Sequence, residues 1–278
     1  MGKALTTMAV AVAVTTAVAV TPPAWGAASA ASTTAQAATA AQPAASAWRD
    51  GAFQVDTAAV VSRSDLVLEG PAWRDYQSMP LGNGHLGAAV WSQDGFTAQL
   101  NRNDTFPDLK SAGRLVVPGL FELAGAPNYR GRLNLADAVL EQSGRGMTAR
   151  TFVRADRDQL VLEVTGAKPG KEQTADLNLW DGRNPTTYAE GGIGALAETF
   201  TDSASGKTTG AVAAVTADAR DVRAAVVDAN TVRLTFKPRA NGSYRIVVGA
   251  PRTPAVTSAR PAARRWRARP RTGSTRHT

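Results

Sequence analysis

Ala88-Ala89-Val90-Trp91-Ser92-Gln93-Asp94-Gly95-Phe96-Thr97-Ala98-Gln99-Leu100 is two short apolar runs joined by a turn that contains glycine. Runs of this length on either side of such a turn read as a β-hairpin. The same pattern recurs downstream. Residues 148–153 and 159–164 flank Asp156-Arg157-Asp158 as a second hairpin, and residues 114–117 form a run stopped by Pro118-Gly119. Residues 132–140 alternate loosely, although 135–142 also suits a short helix. Residues 173–180 follow, with Leu177 and Leu179 on one side. Residues 211–216, 222–227, 231–236 and 243–248 are strand-like, with turns at Asp228-Ala229-Asn230 and Asn241-Gly242. The stretch 181–210 is rich in Gly, Thr, Ser and Ala and reads as long loops around a strand near 196–200. Many short strands at this spacing predict an all-β fold, a large antiparallel β-sandwich of the supersandwich type, rather than alternating α/β units. It is expected to run from about Gly70 to Ala250, and no repeat of fixed period interrupts it.

The two ends read differently. Lys3 precedes an uncharged Ala/Val run over 4–20; Pro22 and Pro23 break it, and small residues follow from Gly26 to Ala30. Ala28-Ser29-Ala30 has the small-x-small pattern of a signal-peptide cleavage site, which predicts a secreted, extracellular product. The run is short and weakly hydrophobic for a membrane span, so no stable insertion is expected after processing. No Arg-Arg pair precedes it, which favours the general secretory route. Residues 31–50, mostly Ala, Thr, Ser, Gln and Pro, read as a low-complexity linker, and 51–250 as the folded domain.

The formal charge of +8 invites a nucleic-acid reading, but its location removes it. Residues 251–278 hold eight Arg and no Asp or Glu; without them, 31 basic residues fall to 23 against 23 acidic. The body is neutral and no nucleic-acid partner is expected. There is no cysteine, which excludes disulfides, thiolate metal sites and a Cys nucleophile. The histidines are His85 and His277, too few for a multi-His metal centre, so neither metal nor cofactor is expected.

The densest run of special residues is Pro80-Leu81-Gly82-Asn83-Gly84-His85-Leu86-Gly87-Ala88. Gly82, Gly84 and Gly87 permit positive φ and close backbone approach, and Asn83 between two glycines is a natural turn residue. Such a loop serves structure at the start of a strand. Alternatively it presses against a partner domain beside a sugar pocket, with Asn83 and His85 offering polar groups to hydroxyls. Asn101, Asn103 and Asp104 form the densest polar patch, either a polar turn or a hydroxyl-binding set, since hydroxyls both donate and accept. Trp73, Trp91 and Trp180 have the shape to stack on sugar rings; core positions are expected for Trp91 and Trp180.

Three of these segments resemble a known pattern. Trp73 followed by residues 80–88 and Val90-Trp91 is similar to the signature near the start of glycoside hydrolase family 95, the α-L-fucosidase-like enzymes, and family 65 carries a related motif. Leu100-Asn101-Arg102-Asn103-Asp104-Thr105 resembles the stretch that follows in family 95, with Arg102 and Asn103 as departures and Phe106-Pro107 in place of Leu-Trp. Arg150-Thr151-Phe152-Val153 through Asp158-Gln159-Leu160-Val161, preceded by a run from Tyr129 to Leu135, is similar to a later hairpin of the family. The resemblance implies an N-terminal sandwich domain that handles carbohydrate, and places the catalytic acid and base in a helical domain downstream. Nothing in this chain matches that domain, so no catalytic residue is assigned.

Residues 251–278 are almost entirely amino acids of GC-rich codons. They read as a frame-shifted stretch or, alternatively, as a genuine basic tail for an anionic polymer. The expectation is a non-catalytic fragment of a secreted glycoside hydrolase that lacks its helical partner domain. A free-standing carbohydrate-binding sandwich and a structural surface protein are the other readings.

Overall fold

The computed structural model describes residues 48–105, 110–201 and 203–254. The expected signal peptide and residues 255–278 lie outside them. The chain divides into two units, with the boundary after Phe53. In the first, β1 (Trp48–Arg49) pairs with β2 (Ala52–Phe53) across Asp50 and Gly51, whose φ values are 52° and 76°. Asp-Gly is a favoured pair where a two-residue hairpin turn needs two positive φ angles.

The second unit opens with helix α1 (Thr57–Ser62), whose N-cap Asp56 accepts a hydrogen bond from the Ala59 backbone at 3.0 Å. The strands that follow are β3 (Leu66–Leu68), β4 (Met79–Gly82), β5 (Leu86–Trp91), β6 (Phe96–Arg102), β7 (Ser111–Val117), β8 (Arg130–Asn134), β9 (Val139–Gly144), β10 (Met147–Val153) and β11 (Gln159–Thr165). They continue with β12 (Gln173–Asn178), β13 (Thr186–Glu190), β14 (Ile193–Thr201), β15 (Thr208–Asp218), β16 (Arg220–Asp228), β17 (Thr231–Lys237), β18 (Tyr244–Gly249) and β19 (Arg252–Pro254). A short helix α2 (Phe121–Ala124) follows the 3-10 turn Pro118–Leu120.

Two large sheets result, and every pairing in them is antiparallel. The larger runs β13-β14-β15-β18-β11-β10-β9-β8-β3, with β19 added beside β15. The smaller runs β16-β17-β12-β7-β6-β5-β4. The all-β sandwich expected from the sequence is therefore the fold. Alternation explains how the sheets close on one another. Val232, Leu234 and Phe236 of β17 are fully buried, and Ala175 and Leu177 of β12 face the same core, as do Ile246 and Val248 of β18. With a side-chain period of two, each strand turns one apolar row inward. A second, smaller cluster of Ile193, Ala195, Ala197, Val212 and Ala214 lies on β14 and β15.

Several expectations change at their edges. The sheet begins at Leu66 and reaches Pro254, a few residues beyond the predicted limits on both sides. Residues 135–142 are not helical: a turn, with Ala138 at φ 53°, leads into β9. The Asn134 side chain, bonded to both the backbone and the carboxylate of Asp137, locks that turn. The strand expected near 196–200 is part of β14, but the residues around it are not long loops: they form β13, the rest of β14 and the start of β15. Their small residues hid the alternation, because Gly and Ala carry little hydrophobic contrast. Trp91 is in the core, as expected, but Trp180 is 39% exposed and its ring lies 6.0 Å from the Arg114 guanidinium.

Phe236 is fully buried and its ring lies 5.0 Å from that of Tyr244 on the opposite sheet. Phe236→Ala should lower stability by about 3–5 kcal/mol through lost burial and the cavity left behind. Urea unfolding of the full chain measures this; a loss below about 1 kcal/mol would remove Phe236 from the inter-sheet core.

Candidate functional site

The loop between β4 and β5 is held by one side chain. Asn83 Oδ1 accepts hydrogen bonds from the backbone N–H groups of His85 (2.9 Å) and Leu86 (2.8 Å). This local bonding is what makes Asn a turn former. Asn83 Nδ2 meanwhile donates to the carbonyls of Arg154 (3.0 Å) and Arg157 (3.1 Å), which lie between β10 and β11 in the other sheet. The amide is thus fully engaged in joining two loops. Positive φ is needed only at Gly84 among the three predicted glycines, at 90°. At Gly82 a Cβ would stand 3.2 Å from the Leu86 carbonyl, a tight approach, whereas at Gly87 the contacts would be ordinary.

Arg102, at the end of β6, lies beside this loop and is only 6% exposed. Its guanidinium binds Asp104 through two bonds of 2.8 Å, Nε to Oδ1 and Nη2 to Oδ2. Nη1 donates to Asp158 Oδ2 at 2.9 Å and to the Ala250 carbonyl. A planar fork with five donors suits such a set of acceptors better than an ammonium would. Burial works against the Arg102 charge, but the bonds to Asp104 and Asp158 outweigh it and hold the group above the ordinary arginine range. Ala250 N donates to the Asp158 carbonyl at 3.0 Å, which closes the cluster from the β18 side. Asn103 completes it: its backbone N–H reaches the His85 carbonyl at 3.2 Å and its side chain donates to the Gly84 carbonyl.

Of the sequence candidates, Asn83, Asn103 and Asp104 therefore meet at one end of the sandwich. His85 belongs to the same loop with its side chain at the surface. Asn101 is exposed on β6, where its Oδ1 lies 3.4 Å from Gln99 Nε2. Trp73 does not join them. Its neighbour Ala72 accepts a hydrogen bond from Ser92, past the far end of β5, and its ring packs 5.7 Å from Phe121. Sequence reasoning missed Arg102 and Asp158 as members of the cluster. Their one legible signal was an arginine two residues before an aspartate at a strand end. The partner Asp158 is 56 positions away and nothing local announces it.

Chemically the cluster is a staple. Both carboxylates are aimed at one guanidinium and the Asn83 amide at backbone groups, so its polar atoms hold loops rather than face a reacting bond. Among the described residues, no three of His, Asp and Glu come together as a metal-ligand set.

No family profile matches the chain, and no curated protein matches it. A similar solved structure is the "Putative kojibiose phosphorylase from human microbiome". It is 10% identical with a TM-score of 0.42, over 73% of this chain and 34% of that one. This chain thus spans about a third of that protein's length, and a likeness at this level carries no conclusion about activity.

Arg102→Met should cost about 3 kcal/mol, the low end for breaking a buried charge cluster, because the Asp104 and Asp158 side chains keep 27% and 22% exposure. In a double-mutant cycle, Asn83→Ala should couple to Asp158→Asn by more than about 0.5 kcal/mol, since Asn83 Nδ2 lies 3.5 Å from Asp158 Oδ1 and both side chains hold the loop between β10 and β11. Additive losses in urea unfolding would contradict a shared staple.

Proposed function

We propose that this chain is the non-catalytic N-terminal β-sandwich of a secreted, α-L-fucosidase-like glycoside hydrolase, whose acid and base lie on a helical partner domain. The observation that carries the reading is the meeting of the resembling segments. Residues around Asn83, Arg102 and Asp158 come from separate parts of the chain, yet they share one hydrogen-bonded cluster. Asn83 and Asp158 keep to the resembling pattern and lie 3.5 Å apart there, and Arg102, which departs from it, binds the same Asp158 carboxylate. A stapled loop end makes a firm seat for another domain, and it leaves His85 and Asn101 at the surface to face such a partner. The consumption of Asp104 and Asp158 by Arg102 supports a supporting rather than a catalytic role.

Secretion is part of the same proposal and rests on the Ala/Val run over 4–20 and the small residues after it. Among the described residues no helix is long and apolar enough to cross a membrane.

The full chain, assayed with aryl α-L-fucosides and other aryl glycosides, should show no turnover above background. Turnover that one carboxylate substitution abolishes would place an active site within the sandwich and overturn the proposal. The DNA beyond codon 250 is expected to encode a helical domain in another frame; stops in every frame would favour a free-standing carbohydrate-binding sandwich. N-terminal sequencing of the exported product should begin just after a residue between Gly26 and Ala30, and an intact Met1 on a membrane-bound chain would refute the export route.

A further inference from the structure

At the opposite end of the sandwich lies a hollow that the staple does not use. β10 begins at it with Met147 and ends at Val153, next to the Arg154 carbonyl that binds Asn83. At ~3.3 Å per residue this separates the two places by roughly 20 Å. Gln173 and Tyr244 line the hollow, from one strand of each sheet. Both are more than nine-tenths buried, at 7% and 3% exposure. Burial alone pushes the Tyr244 phenol up, with no hydrogen bond acting on it. Among the described residues no hydrogen bond reaches the side-chain amide of Gln173 either. Among the described residues, the sealed polar side-chain atoms without a partner are Thr97 Oγ1, Thr151 Oγ1 and Asn230 Oδ1. The Gln173 amide and Tyr244 hydroxyl are not among these, so the hollow leaves them open to a ligand. The nearby pair Tyr129 and Gln142, of the same residue types, is by contrast satisfied internally by a 3.0 Å bond.

Buried polar groups normally have partners. An amide and a phenol each donate and accept. The rim adds charge. Glu122 is held below the usual carboxylate range by its bond to Lys171, and Lys168 and Arg145 act on it from further away. Lys171 and Glu122 neutralise one another, which leaves Lys168 and Arg145 as a positive excess around the opening. The hollow measures about 50 Å³, room for a few waters at ~10–15 Å³ each, and so for a small polar group.

We propose that this hollow seats the carboxylate of an acidic sugar, a uronate, on Gln173 and Tyr244, with Lys168 and Arg145 supplying the attraction. The sugar part rests on the carbohydrate reading above; the carboxylate part stands on the hollow itself.

Glucuronate, glucose and acetate distinguish the possibilities when titrated into the full chain, followed by the Gln173 side-chain amide resonance and by calorimetry. The resonance is assigned by its loss in Gln173→Met. Glucuronate should shift it saturably, and glucose at equal concentration should not. Gln173→Met and Tyr244→Phe should each weaken glucuronate binding about tenfold, the effect of one hydrogen bond to a charged group. Gly119→Ala provides an independent check. A methyl there would stand 1.8 Å from Gln173 Oε1, which turns the flexible amide aside without a positive-φ penalty, so binding should fall while the fold persists. An unmoved Gln173 resonance, or three variants that bind as the parent does, overturns the site. Glucose binding as tightly as glucuronate overturns the acidic group but leaves the carbohydrate reading intact. Acetate binding as tightly as glucuronate overturns the sugar. None of these outcomes alters the turnover assay or the downstream reading frame, so the two proposals fail separately.

Discussion

The guanidinium of Arg102 is the constraint on which one end of this sandwich depends. Two twisted sheets packed face to face share an apolar middle, but at their ends the strands turn back and expose backbone polar groups that apolar packing cannot satisfy. Arg102 answers this by reaching from β6 to Asp104 on its own side and to Asp158 and the Ala250 carbonyl on the other. Asn83 does the same from the neighbouring loop through a single amide. Ionised partners make these bonds stronger than neutral ones, and the planar fork fixes direction as well as distance. The loops at this end are therefore positioned by polar geometry, while the body is held by burial of Leu, Val and Phe.

The opposite end obeys the same physics with the opposite result. There Gln173 and Tyr244 are carried inward by the alternation of β12 and β18, which the core requires at Ala175, Leu177, Ile246 and Val248. The strand period places a polar group at the rim of the core at the first position of each strand. One end spends its polar atoms on structure, and the other keeps two of them available. That contrast is what separates a staple from a binding hollow. Trp73 and Asn83, which belong to one motif, serve different ends of the molecule because strand β4 lies between them.

Legibility followed hydrophobic contrast. The hairpins β5–β6 and β10–β11 could be read directly, because apolar runs there are cut by Asp, Gly and Arg. The strands β13 and β14 could not, since Thr, Ala and Gly give almost no difference between an inward and an outward residue. Their order comes instead from long-range pairing, with β14 matched to β15 over nine successive positions. Trp180 differs for a related reason: a tryptophan two residues past a strand end is placed by its neighbours, here Arg114, and not by the alternation that precedes it.

Sequence alone determined the all-β class, most strand positions, the neutral body with its basic tail and the special character of residues 80–88, because all of these depend on local composition and on a period of two. Tertiary structure alone decided that Arg102 and Asp158 complete that loop, that Trp73 lies elsewhere, and that Gln173 and Tyr244 meet at a hollow. Hydrogen bonds act over about 3 Å and take no account of distance along the chain. Which polar groups are satisfied, and which are left for a ligand, is settled only when the two sheets close.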